Sequence, residues 1–131
     1  MLKRKAGKPV EPPQSKESKC LEHQHYESVR AAYQTIQTSS LDKFTFAWVD
    51  TLWNELNTVL YELDRLPEES FKEMIEVIAR LSEARDELRL ARFLFDVEEI
   101  NPVYRLILRN KAVLRSGRIL DKVLHAWPAH D

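Results

Sequence analysis

Between Pro102 and Trp127 the chain sets Arg105, Arg109, Lys111, Arg115, Arg118 and Lys122 against a single acid, Asp121. Lys111, Arg115, Arg118 and Lys122 follow one another at spacings of four, three and four, so on a helix they form one stripe. A stripe of this kind lies along a phosphate backbone and displaces its counterions, which is the chemistry of a nucleic-acid-binding subunit. It equally suits an acidic protein partner or acids within the chain. Residues 68–99 supply those acids: ten Asp and Glu stand there against five Lys and Arg. Folded back as a hairpin, the acidic and basic stretches complement each other, with Glu83 and Glu87 expected near Arg115 and Arg118. Each exposed pair contributes only about 0–1 kcal/mol, so the pairing sets register and partner choice more than stability.

Arg85, Arg89 and Arg92 make a second stripe that ends at Asp96. Arginine dominates over lysine from Arg80 to Arg118, and its planar fork suits two-pronged contacts with carboxylates or phosphates. Ion pairs within or between subunits are the ordinary expectation. A phosphate-binding cleft between the last two helices is the sharper one.

Other reactive groups are sparse. Cys20, Glu22, His23 and His25 lie close together, yet a metal site needs three or four ligands at set spacings. No second Cys or His cluster adjoins them, and His125 and His130 sit at the far end of the chain. No metal and no cofactor are expected. No Ser-His-Asp or Cys-His arrangement is recognisable from spacing, and Glu73 and Glu76 lack the Glu-x-x-His partner of di-iron bundles. The expectation is a protein that is not an enzyme.

Arg118 and His125, seven apart and so on one helical face, loosely resemble the Arg-spacer-His motif of the helical HEPN ribonucleases. Ile119 departs from that motif, which has a polar residue after the arginine. Arg109-Asn110-Lys111, followed by a basic-apolar helix ending at Trp127, is similar to a helix in one subunit of the GINS replication complex. That likeness covers a minor part of the chain and includes no trace of the family's small β domain. It implies a place in a nucleoprotein assembly.

These side chains need elements to hold them, and the periodicity is helical throughout. The stretch Leu41–Leu66 organises the rest. Val49, Leu52, Leu56, Val59, Leu63 and Leu66 recur at spacings of three and four, and Phe46, Trp48, Trp53 and Leu60 widen the seam. At about 100° per residue the apolar arc spans roughly 160°, enough for two neighbours and hence a central helix. Phe44, Phe46 and Trp48 alternate as in a strand, but the run is too short to outweigh the heptads that follow. Ser40 is the expected cap, with Asp42 in the first turn.

Before it, Tyr26, Val29, Tyr33 and Ile36 predict a short amphipathic helix over 22–37. After it, Pro67 ends the helix. Ser70 and Glu73 form a capping box for a third helix that starts there or at Pro67 and runs to Glu99. Its core stripe reads Phe71, Met74, Val77, Ile78 and Leu81, then Ala84, Leu88, Ala91 and Phe95. Leu90, Phe93, Leu94 and Val97 point away from that stripe, making the end apolar nearly all round. Asn101-Pro102 caps a last helix running to Ala126. Leu106, Val113, Leu120 and Leu124 form its core face, and Gly117 is a point where another helix can approach closely. Short connections make neighbouring helices antiparallel. The predicted fold class is all-α, an antiparallel bundle of three long helices plus one shorter N-terminal helix.

The bundle domain is assigned to 21–127. Residues 1–20 read as a flexible basic tail, and 128–131 as a short C-terminal one. Lys3-Arg4-Lys5 with Lys8 suits a solubilising tail, a nuclear import signal or a phosphate-binding arm. With 44% apolar residues the chain can bury a real core, and its net charge is −1. One cysteine, no apolar run near the roughly 20 residues of a membrane helix, and no secretion signal predict an intracellular protein, cytoplasmic or nuclear. The expected function is a non-enzymatic protein-protein interaction or assembly module that docks on another protein or on itself. Leu90, Phe93, Leu94 and Val97 are its expected interface. The alternative is a nucleic-acid-binding subunit that uses Lys111, Arg115, Arg118 and Lys122.

Overall fold

A computed structural model of the chain describes residues 13–98 and 101–127, with side chains described from His23 onward. It shows an all-α antiparallel bundle. The elements are α1 (Pro13–Thr38), α2 (Phe46–Leu63), α3 (Glu68–Glu73), α4 (Ile75–Asp96) and α5 (Pro102–Ala126).

Four helices close a ring, and each step is fixed by named contacts. Trp48 Nε1 of α2 donates to the Ile36 carbonyl of α1 at 3.3 Å, and Ser28 Oγ donates to Glu55 at 2.6 Å, which makes α1 and α2 antiparallel. Phe46 meets Phe95 edge-on at 5.5 Å, and Arg92 binds Asp50 at 2.8 Å, so α4 runs back along α2. Arg115 lies 3.7 Å from both Glu83 and Glu87, which pairs α5 with α4. Tyr26 meets Trp127 edge-on at 5.5 Å, and the Tyr33 hydroxyl donates to the Gly117 carbonyl at 3.2 Å, which returns α5 to α1.

The core follows the heptads. Val49, Leu52, Leu56, Val59 and Leu63 of α2 are buried with Val77, Leu81, Ala84, Leu88 and Ala91 of α4 and Val113, Leu120 and Val123 of α5. Each of the valines and leucines stabilises the fold by about 1.5–3 kcal/mol through apolar area removed from water, and each alanine by less. Trp53 is only partly buried, packed against the core while its neighbour Leu56 is sealed.

Several boundaries differ from the sequence reading, each for a local reason. Helix α1 begins at Pro13 rather than Glu22, inside the segment expected to be a tail. Extending an existing helix costs far less than nucleating one, and Pro13 suits a first turn, so the packed part grows outward. The core contacts of α1 still come from the expected Tyr26, Val29, Tyr33 and Ile36. Residues 1–12 and 128–131, the rest of the expected tails, lie outside the described residues.

Helix α2 starts at Phe46, capped by Thr45, whose hydroxyl accepts from Trp48 N at 3.3 Å. Ser40 is not the cap. Asp42 folds the approach instead, accepting from Phe44 N at 3.0 Å. The alternation of Phe44, Phe46 and Trp48 thus marks a turn entering a helix.

The expected third helix is broken at Met74, which ends α3 and starts α4 with φ −98° and ψ 3°. Met74 is buried and Ile75 exposed, so the chain turns to keep the methionine inside. Ser70 lies within α3 and caps nothing; Pro67 precedes that helix. Helix α5 has the expected bounds, with Asn101 Oδ1 accepting from Tyr104 N at 3.0 Å.

Candidate interaction surface

The basic stripe divides into one engaged residue and three free ones. Arg115 meets Glu83 and Glu87, as the hairpin complementarity predicts. Arg118 does not join it. Lys111, Arg118 and Lys122 are exposed and form no ion pair among the described residues. Arg118 and Lys122 instead border a shallow depression shared with Arg80, Glu83 and Arg115. Four cations there face one carboxylate.

Elsewhere the arginines act within the fold. Arg92 joins α4 to α2: it bonds Asp50 and lies 4.2 Å over the Trp53 ring and 5.5 Å from that of Phe46. Arg85 and Arg89 reach only their neighbour Asp86, at 3.4 and 4.0 Å. Arg105 donates to the Val97 carbonyl, closing the end of α4 where the helix leaves carbonyls unpaired. Arg109 stacks 4.1 Å over Phe95, and its pKa is lowered by burial and by the neighbouring Arg105.

Of the expected apolar anchors, two hold the surface. Leu90 and Phe93 are exposed, Phe93 by 61%, and line a depression with Asp86 and Arg89. Val97 is half-buried. Leu94 is a correction: it is 5% exposed and belongs to the interior. Seven residues on from Glu87, it shares the side of α4 that meets Arg115, so α5 covers it.

The larger apolar surface is one that sequence reasoning missed. Val103, Tyr104, Leu106 and Ile107, in the first turns of α5, are all exposed, and Leu114 follows them. Leu106 was expected in the core and is 44% exposed. The geometry explains it. Helix α2 begins at the level of Phe95 and Arg92, and α1 ends at Thr38, beyond the Tyr33–Gly117 contact. Among the described residues the start of α5 therefore runs past the ends of α1 and α2, with α4 as the one helix beside it. The spread of apolar residues around these turns was the available signal, since a helix lying on one neighbour needs only one apolar stripe.

No family model, curated protein or solved structure matches this chain. The functional reading accordingly rests on the surface itself.

Among the described residues no group of three or more His, Cys, Asp and Glu is placed to hold a metal ion. Of the Cys20, Glu22, His23 and His25 group, side chains are described for the two histidines. His23 lies 3.9 Å from Glu27. His25 has its pKa lowered by burial, partly offset by Glu62. Arg118 and His125 lie on one face, but the His125 Nδ1 is 2.9 Å from its own helix's Asp121 carbonyl. Among the described residues no helix is long and apolar enough to cross a membrane.

Among the described residues Tyr33 is the one strongly shifted group. Burial, with the Asp121 carboxylate adding to it, pushes its phenol up to about 12. Its hydroxyl is spent on the Gly117 carbonyl, and it acts as a structural clasp between α1 and α5.

Proposed function

We propose that the protein is a non-enzymatic helical interaction module whose working surface is the free end of the α4–α5 hairpin. One observation carries this: Leu90 and Phe93 near the end of α4, and Val103, Tyr104, Leu106 and Ile107 at the start of α5, are all exposed. Contiguous exposed apolar surface usually marks an interface. Aromatic side chains such as Phe93 and Tyr104 are the residue types that dominate interface energy. The partner is another protein or a further copy of the chain.

The test is mass in solution across a concentration series, run on wild type, Phe93→Glu and Ile107→Glu, alone and with proteins that copurify. The wild type self-associates or holds a partner, and at least one variant loses that association with its helicity intact. A wild type that stays monomeric, holds no partner and behaves like both variants would overturn the proposal.

A second reading rests on a different observation. Lys111, Arg118 and Lys122 project along one solvent face without ion pairs among the described residues, and Arg80 and Arg115 adjoin them. That arrangement suits the phosphates of a nucleic acid. It predicts binding that weakens steeply with salt and is lost in the double variant Arg118→Glu, Lys122→Glu. Retention unchanged by that variant rules it out.

A further inference from the structure

Helix α5 carries a second stripe. Val103, Ile107, Asn110, Leu114, Gly117 and Asp121 follow one another at spacings of four and three, so they lie on one face. The far end of this stripe is occupied. Tyr33 of α1 rests on Gly117, where a Cβ would come 3.3 Å from its hydroxyl, and Asp121 lies beside the same phenol. The near end is not. Helix α1 stops at Thr38 and the chain turns away into α2. Val103, Ile107 and Leu114 remain 65, 51 and 40% exposed.

An open cleft of about 540 Å³ marks the place where α1 gives out, bordered by Ile36, Leu41, Trp48, Leu114 and Arg118 among others. The line of α1, prolonged, is therefore a seat for another helix. From Val103 to Leu114 it is about 16 Å long at 1.5 Å per residue, enough for about three turns.

We infer that this seat takes an amphipathic helix of a partner protein whose apolar stripe is flanked by acidic residues. The inference rests on the interaction-module reading above and names the partner's chemistry. Charge decides the occupant. Lys111 and Arg118 flank the stripe, are exposed and form no ion pair among the described residues, and Lys43 borders the cleft, where Asp121 at the occupied end is the one acid. A second copy docking through the same stripe would set these cations against their own kind, which is unfavourable in either orientation. Residues 1–12 of the chain carry Lys3, Arg4, Lys5 and Lys8 and have the wrong sign too. An acid-flanked helix presents apolar anchors at i, i+4 and i+7 and meets the basic border with opposite charge.

The experiment uses the full chain and two labelled synthetic helical peptides of about four turns. Both carry the same leucine stripe; one has glutamates on its flanks and its twin has lysines. Binding is read by fluorescence anisotropy at low and high salt. The glutamate peptide binds more tightly by about ten-fold or more, equivalent to about 1.4 kcal/mol, and its advantage shrinks as salt rises. Ile107→Glu with Leu114→Glu abolishes binding. Lys111→Glu with Arg118→Glu removes the preference between peptides, while circular dichroism shows the same helix content. Equal binding of the two peptides, or none by the wild type, overturns the inference. If neither peptide binds while Phe93→Glu or Ile107→Glu still disrupts an association of the wild type, the module stands and only the acid-flanked helix falls.

Discussion

The two ends of α5 are built from the same kinds of residue and have opposite surroundings. Toward its C-terminus, Leu120, Val123 and Trp127 are sealed inside and Tyr33 clasps Gly117 from the side. Toward its N-terminus, Val103, Leu106 and Ile107 stand in water beside α4. Hydrophobicity alone does not separate them. What separates them is the length of the neighbours: α1 and α2 reach one end and stop short of the other. An apolar side chain stabilises the fold only where something covers it, and the uncovered end lacks that contribution.

Substitutions across the two ends give the widest contrast. Leu120→Ala should cost about 2–5 kcal/mol in urea unfolding, as for a sealed core leucine. Ile107→Ala should stay within about 0.5 kcal/mol of wild type, as for a surface position. Equal losses at the two sites would break the comparison.

The clasp sharpens it through pH. Unfolded tyrosine loses its proton near 10, whereas folded Tyr33 holds it to about 12. Between those values the unfolded chain binds fewer protons, so stability present below pH 10 is lost as pH rises through 12. The loss attributable to Tyr33 is on the order of 2 kcal/mol. Tyr33→Phe should cost about 1 kcal/mol at neutral pH by removing the bond to Gly117 and should remove this part of the alkaline slope. An identical slope in the variant would show that Tyr33 is not the clasp.

Arg92 marks the border between the ends. Its bond to Asp50 and its stacking on Trp53 fix where α2 starts against α4. Arg92→Ala should cost about 1–2 kcal/mol in thermal or urea unfolding, and should leave peptide binding at the α5 seat in place. The smallest effect belongs to His25. Its lowered pKa means that the unfolded chain binds the proton first as pH falls below 6.5, so stability declines there. His25→Gln should flatten that acid limb slightly.

Much of the architecture was legible because each long helix writes its own face. Leu52, Leu56, Leu63, Leu81, Leu88 and Leu120 are buried as their spacing requires, and the Asn101-Pro102 start of α5 follows from local chemistry. The break at Met74 was not legible, because Ser70 and Glu73 have the right types for a capping box and only burial of Met74 shows the turn. The candidate surface was half legible. Excess apolar character around residues 90–97 pointed to exposed apolar side chains, and Leu90 and Phe93 are exposed. Which side α5 would cover was not written locally, so Leu94 was placed outside and Leu106 inside. Pairing of Arg115 with Glu83 and Glu87 followed from charge balance. The freedom of Arg118 depends on register, which charge balance does not specify.

The most direct measurement is the urea unfolding free energy of the double variant Leu106→Glu, Ile107→Glu beside the wild type, with both held monomeric by dilution. If the first turns of α5 are an uncovered docking face, two added charges there leave stability within about 1 kcal/mol of wild type, the sum of two surface changes. A loss of several kcal/mol would mean that these side chains are sealed inside the folded monomer, and the interface reading would fall with them.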